Sequence, residues 1–311
     1  VKQIMLILFF VINLLCNYSW ENGAFMNIQG TLLVPINFDT IAKAEKSGFY
    51  EIILPKGTVD RLYFSDDRYE KYMYPSMKKE NFFCVAKKKE TGEFVLLKVR
   101  EGEVSELMNS DKEIHFPVVS EDLNSIWYLN YEKNENKIAS KNSEWNIISL
   151  WKYNRKTGTK EKLFDDHINF SSAILVTPDD SIILTQNSDE VDGYSKIILV
   201  SPTGDINVLL AQANSPAWYE AGKSILYRDV KKQINKYDLE TGEITNLGSD
   251  NRWWYSSVVS PDKKYLVIND YALLYVFGGE RDNQLKVISV DGKVECAIKF
   301  AKRTSDIMWL K

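Results

Sequence analysis

The chain has 311 residues, 44% apolar and 26% charged, the proportions of an ordinary soluble globular protein whose core needs neither a metal nor a disulfide framework. Its net charge is −4 and it carries no long basic stripe, which argues against nucleic acid as a partner, since phosphate binding rests on clustered Lys and Arg. An aromatic share of 13%, with 17 Tyr and 8 Trp, suits strands better than helices.

Residues 1–20 differ from everything after them. Lys2 precedes the apolar run Ile4–Ile12 and then Asn13-Leu14-Leu15-Cys16, which reads as the charged n-region and apolar h-region of a secretory signal peptide. The run falls short of the roughly 20 residues a bilayer span requires, so a membrane link is expected only through this leader or anchor segment. Cys16 sits where a lipobox would end, but Asn13, Leu14 and Leu15 lack the usual small-residue lead-in. Cleavage after Cys16, Ser19 or Ala24 all fit. Val1 reads as a non-ATG start codon translated literally, a bacterial habit. The expected product is an exported, periplasmic or extracellular protein. Its two remaining cysteines, Cys84 and Cys296, fall in apolar runs two repeats apart and are expected as separate buried thiols.

From Ile28 onward one unit recurs. Its clearest mark is a glycine turn followed by a strand, first at Lys56-Gly57-Thr58-Val59 with Leu62, then at Glu101-Gly102-Glu103-Val104 with Leu107. Thr157-Gly158, Thr203-Gly204 and Thr241-Gly242 repeat it with Leu163, Leu209 and Leu247; Asp291-Gly292 ends the series with Ala297 and Ile298. Glycine suits a tight hairpin that needs positive φ. Upstream of each of the last five stands a second turn: Lys78-Lys79-Glu80-Asn81, Ser120-Glu121-Asp122, Thr177-Pro178-Asp179-Asp180, Glu220-Ala221-Gly222-Lys223 and Ser260-Pro261-Asp262-Lys263. A β-rich run follows every one. Each unit therefore has four antiparallel strands, and such units repeating at roughly forty to fifty residues are the mark of propeller blades.

The first unit, Ile28 to Ser65, lacks an innermost strand, while the chain finishes on an orphan strand, Ser305–Leu310. Joining the two closes a ring without a free edge. The expectation is an all-β, six-bladed β-propeller of four-stranded antiparallel blades over residues 28–311, closed by the C-terminal strand entering the first blade. At Ser260-Pro261-Asp262-Lys263-Lys264-Tyr265-Leu266-Val267 and Thr177-Pro178-Asp179-Asp180-Ser181-Ile182 the sequence resembles the WD40-like repeats of TolB-type propellers. That resemblance covers Ile28 to Lys311 and implies a fold; the family includes scaffolds, partner-binding proteins and a few enzymes, so it does not choose a function.

In such blades the between-blade connections and the loops joining second to third strands share one face, where ligands meet the mouth of the central channel. The between-blade stretches read as Asp66–Tyr72, Asn109–Ile114, Asp165–Asn169, Gln212–Ser215, Gly248–Arg252 and Ala301–Thr304. The longest second-to-third loops are Asn37–Gly48, Lys133–Asn146 and Tyr271–Asn283, and the last is strongly apolar. It neighbours Arg252-Trp253-Trp254-Tyr255. Aromatic residues and Arg together mark interface hot spots, so Arg252, Trp253, Trp254, Tyr255, Tyr275, Phe277 and Arg303 are the candidate site for a protein or saccharide partner. The bland alternative is that these side chains pack between blades, as most aromatic stretches do.

Chemical motifs are thin. His115 and His167, with Asp165 and Asp166, could form a site of imidazoles and carboxylates for a metal, though no spacing demands it. Asn187–Gly193 departs from the calcium-loop pattern, and Ala221-Gly222-Lys223-Ser224 lacks the leading Gly of a phosphate loop. No Gly-x-Ser-x-Gly elbow occurs. Lys87-Lys88-Lys89 and Lys231-Lys232 read as solvated turn charges. The reading is thus a monomeric, non-enzymatic binding propeller without cofactor; the alternative is a metal-assisted enzyme, lactonase- or lyase-like, acting at the central channel.

Overall fold

The computed structural model describes residues 30–36, 46–54, 58–133, 146–166, 174–186, 195–249, 254–271, 283–292, 295–299 and 307–310. Six four-stranded antiparallel sheets follow one another around a ring. Blade one holds β1 (Gly30–Ile36), β2 (Gly48–Leu54) and β3 (Thr58–Phe64). Blade two runs β4 (Tyr69–Lys78), β5 (Asn81–Lys88), β6 (Phe94–Arg100) and β7 (Glu103–Ser110). Blade three has β8 (His115–Val119), β9 (Ser125–Lys133), β10 (Asn146–Asn154) and β11 (Thr159–Asp166). Blade four has β12 (Leu175–Val176), β13 (Ile182–Gln186), β14 (Lys196–Val200) and β15 (Ile206–Leu210). Blade five has β16 (Ala213–Glu220), β17 (Ser224–Asp229), β18 (Gln233–Asp238) and β19 (Ile244–Ser249). Blade six has β20 (Trp254–Val259), β21 (Tyr265–Tyr271), β22 (Asn283–Ser289) and β23 (Glu295–Lys299).

The last strand, β24 (Met308–Leu310), pairs with β1 through Thr31↔Leu310, Leu32↔Trp309 and Leu33↔Met308, so blade one takes its innermost strand from the far end of the chain. Trp309 then does two things. Its ring lies over Gly30, where a Cβ would stand 2.7 Å from it, and its indole Nε1 donates to the Val258 carbonyl of blade six at 3.3 Å. Closure is therefore a sheet pairing and a packing contact at once.

Each seam between blades is filled by one apolar cluster. In β1, Leu32 and Val34 pack toward blade six with Val267, Val287 and Trp309, whereas Leu33 packs toward blade two with Phe49, Phe82 and Cys84. Successive strand residues point to opposite faces, and here both faces are covered. That is why the middle strands read as unbroken apolar runs: Ile182–Leu184 feed the seams to blades three and five alternately. Of the five leucines that follow a turn glycine by five residues, Leu107, Leu163, Leu209 and Leu247 pack on seam clusters, whereas Leu62, on the outermost strand of blade one, is exposed. Cys84 is a fully buried free thiol in the seam between blades one and two, and burial pushes its pKa well up. Cys296 lies on β23, in blade six, with its side chain outside the described residues.

The glycine turns join third to fourth strands, as expected, and Gly102, Gly158, Gly204, Gly242 and Gly292 all have positive φ; Gly57 lies outside the described residues. Gly292 is tighter than the rest, because the turn of blade six abuts the end of β19 in blade five. A Cβ on it would stand 2.0 Å from the Ser249 carbonyl oxygen, whereas one on Gly102 would meet nothing within 4 Å. Gly102→Ala should cost about 1–2 kcal/mol, for the left-handed backbone alone. Gly292→Ala should add roughly 1–3 kcal/mol for the steric conflict. Equal denaturation midpoints for the two variants would refute this account of blade-to-blade packing.

Candidate functional site

The face carrying the between-blade connections is described on the side of blades one to three and five. Between blades one and two the connection is short, because β4 already begins at Tyr69; Tyr69–Tyr72 belong to an irregular strand rather than to the expected loop. The Asp66 carboxylate holds Arg68 through Nε at 3.0 Å and Nη2 at 2.6 Å, and the guanidinium lies over the Tyr69 ring at 5.2 Å. The Tyr72 hydroxyl fixes the same turn, donating to the Asp66 carbonyl at 2.8 Å and accepting from its amide at 2.9 Å. The Arg68 side chain nevertheless remains 63% exposed. It is held in place and still available.

Beside it, the Tyr69 hydroxyl donates to Glu106 Oε1 at 2.8 Å, and Lys88 Nζ stands 2.8 Å from Glu106 Oε2. Burial pushes the Glu106 carboxyl up, but hydrogen bonds from Lys88 and Tyr69 outweigh it and hold its pKa below the ordinary value. Burial and the bond to Glu106 raise the Tyr69 phenol. Lys87 pairs with Glu70 at 3.6 Å. Of the three-lysine run, then, two members are ion-paired strand residues rather than solvated turn charges, since β5 extends through Lys88.

At the channel, Tyr74 of blade two meets His115 of blade three, with the hydroxyl 2.7 Å from Nδ1 and the rings edge-on at 5.8 Å. Burial pushes His115 down to about 4, so the ring is neutral at pH 7. Assigning the hydroxyl as donor to Nδ1 leaves the ring proton on Nε2, which faces Glu113 Oε1 at 3.8 Å. Burial raises the Glu113 carboxyl, and the charge of Lys71 opposes that.

The backbone is strained here. Lys71 (φ 50°), Tyr74 (φ 53°), Phe116 (φ 48°) and, in blade five, Ser215 (φ 55°) are left-handed without being glycine. Three of the four precede a proline: Pro75, Pro117 and Pro216. These prolines sit in innermost strands, whose channel-side edge has no partner strand, the place where a strand tolerates proline. Proline inside an otherwise β-rich run was the available sign that these stretches line the channel.

The predicted site residues fall as follows. Trp254 and Tyr255 lie on β20, the innermost strand of blade six, so their backbone borders the channel; their side chains are outside the described residues. Arg252, Trp253, Tyr275, Phe277, Arg303 and His167 lie outside the described residues altogether. Asp165 and Asp166 end β11, the outermost strand of blade three, and do not form the start of a loop. His115 is on the innermost strand of that blade, three strand spacings or about 14 Å of backbone away, so the fold does not bring the histidine and these aspartates together. Among the described residues no three His, Cys, Asp or Glu side chains converge as a metal-binding group. The turn at Ala221-Gly222-Lys223 joins β16 to β17, which accounts for its phosphate-loop look.

Because the folded protein keeps His115 neutral, acid should favour the unfolded chain. The folded pKa is below the ordinary 6.5, so stability falls as pH drops from about 6.5 to about 4, by roughly 3 kcal/mol in total. His115→Gln keeps an acceptor for Tyr74 and removes the titration. Glu113, with its raised pKa, works in the opposite sense and is present in both proteins, so it cancels in the comparison. Urea titrations across that pH range should give the wild type the steeper loss; parallel curves would mean that His115 is not held neutral.

No family model and no curated protein matches the chain. Solved structures do. TolB from Acinetobacter baumannii is 16% identical with a TM-score of 0.57, over 92% of this chain and 67% of that one. A nidogen/laminin complex matches at 11% identity and TM-score 0.56, over 91% and 98%. Oligogalacturonate lyase in complex with manganese matches at 15% and 0.53, over 89% and 75%. Likeness at these identities establishes the six-bladed fold, which binding proteins and lyases share.

Proposed function

We propose that this propeller is a non-enzymatic binding module that engages a protein or an extended saccharide through its connection face, centred on blades six and one. The observation that carries the reading is Arg68. Its guanidinium is clamped by Asp66, stacked on Tyr69 and exposed, at the connection that leaves blade one. A held arginine beside an aromatic ring loses little freedom when it takes a partner, and such pairs recur among interface hot spots. Trp254 and Tyr255 on β20 and the flanking Arg252 and Trp253 would extend that surface on the blade-six side of the closing strand. A nidogen of the same fold is known in a complex with laminin, which fits a protein partner.

The test is affinity capture from an envelope fraction with the chain as bait, followed by mass spectrometry and titration of what is caught. Trp253→Ala with Trp254→Ala should weaken capture by about 100-fold, the range of a hot-spot loss of roughly 3 kcal/mol, and Arg68→Ala by about tenfold. Both variants should keep the wild-type melting profile. Full capture by both would remove the face from consideration.

A further inference from the structure

The six seams are not alike. Where a buried side-chain oxygen or nitrogen has no hydrogen-bond partner from the protein, no protein group offsets its desolvation. Leaving aside Arg228, such atoms occur on eight described residues, and seven of the eight fall in two seams. The seam between blades two and three holds Asn81 Oδ1, Asn130 Oδ1, Ser149 Oγ and Trp151 Nε1. Alternation places them there. Asn81 shares its face with Phe83 and Val85, and Asn130 with Ile126 and Tyr128, all four in the two–three cluster; Ser149 is paired with Asn130, and Trp151 packs on that cluster. The seam between blades five and six holds Asn214 Oδ1, Ser224 Oγ and Ser257 Oγ. Ser224 shares its face with Leu226, Ser257 is paired with Ile268, and both of those belong to the five–six cluster. Asn214 is paired with Arg228, which follows Leu226 by two and whose buried guanidinium enters the same seam. Only Thr185 lies elsewhere, between blades four and five.

In a ring of six these two seams are diametrically opposite. They divide it into blades six, one and two on one side and three, four and five on the other. Within the halves, among the described residues, Thr185 alone carries such an atom. Blades one and two share an edge-to-face aromatic stack, Phe49 with Tyr72 at 5.7 Å and with Phe82 at 5.2 Å, and blades six and one are joined through Trp309.

We infer that the ring flexes as two rigid three-blade halves hinged across the two–three and five–six seams, widening the channel mouth on the connection face. A break at one seam alone would shear a closed ring, so the two must open together, and it is the pairing of opposite polar seams that permits it.

Thiol labelling of the folded chain tests this, with modified peptides identified by mass spectrometry. Ser149→Cys and Ser224→Cys each report one polar seam. Native Cys84, in the one–two seam, and Val200→Cys, in the three–four seam, are equally buried controls. Labelling at 149 and 224 should outpace both controls by about tenfold or more. Adding Ser224→Ala to the Ser149→Cys chain removes one orphan hydroxyl from the far seam and should slow labelling at 149 without changing Cys84. Should Ser149→Cys fail to fold, Asn130→Cys reads the same seam. Equal rates at all four positions would mean that opening is global unfolding. Fast labelling at 149 that ignores Ser224→Ala would mean local looseness; either result overturns the hinge.

Discussion

Everything in this ring depends on its middle strands being apolar on both faces. A blade that packed on one side only would alternate apolar and polar residues; here Leu32 serves one neighbour and Leu33 the other, and the same holds along β5, β9, β13 and β17. Such a strand has no solvent face to offer, so no blade can be left at an end. The requirement is met only by closure. This gives the three residues of β24 an influence out of proportion to their length: they complete blade one, and Trp309 spans the join to blade six.

How much of this could be read from the chain follows from which interactions are local. Turn chemistry is local, so Gly102, Gly158 or the Ser260-Pro261-Asp262 turn declare a hairpin wherever they stand, and their spacing was enough to count blades. The closing strand was legible by elimination, as a run with no turn partner. The strand edges at the channel were not. Tyr69–Tyr72 and Ser215 read as loop because register breaks disturb the two-residue period, yet both belong to strands. Similarly, Asp165 and Asp166 looked like neighbours of His115 because the two are close in blade order; which edge of a sheet a residue occupies is set by pairing, which no window of sequence contains. The clamp on Arg68 is local, made by Asp66 and Tyr69, but its bracing was invisible for the same reason, since Glu106 and Lys88 reach the Tyr69 side from two other strands.

Strain and polarity in the interior are placed consistently. The left-handed residues of innermost strands, Lys71, Tyr74 and Phe116, border the two–three seam, and Ser215 lies on the strand of blade five that faces blade six across the channel edge. Strained backbone and unpaired polar groups are both unfavourable terms that a tightly packed surround must offset. Both kinds gather at these two seams, with Thr185 between blades four and five the exception among the described residues.

That arrangement bears on how a closed propeller could bind anything large. A ring whose six seams were equally dry would hold its connection face at one width, because sliding any blade would open a void against packed neighbours. With two opposite seams softened, the halves keep their own cores while the distance between their connections can change. Arg68 and β20 both ride on the half made of blades six, one and two, so the proposed binding surface would move as one body. The hinge would then alter what that surface confronts across the channel, namely the connections of blades three to five, without disturbing the clamp that holds the arginine ready.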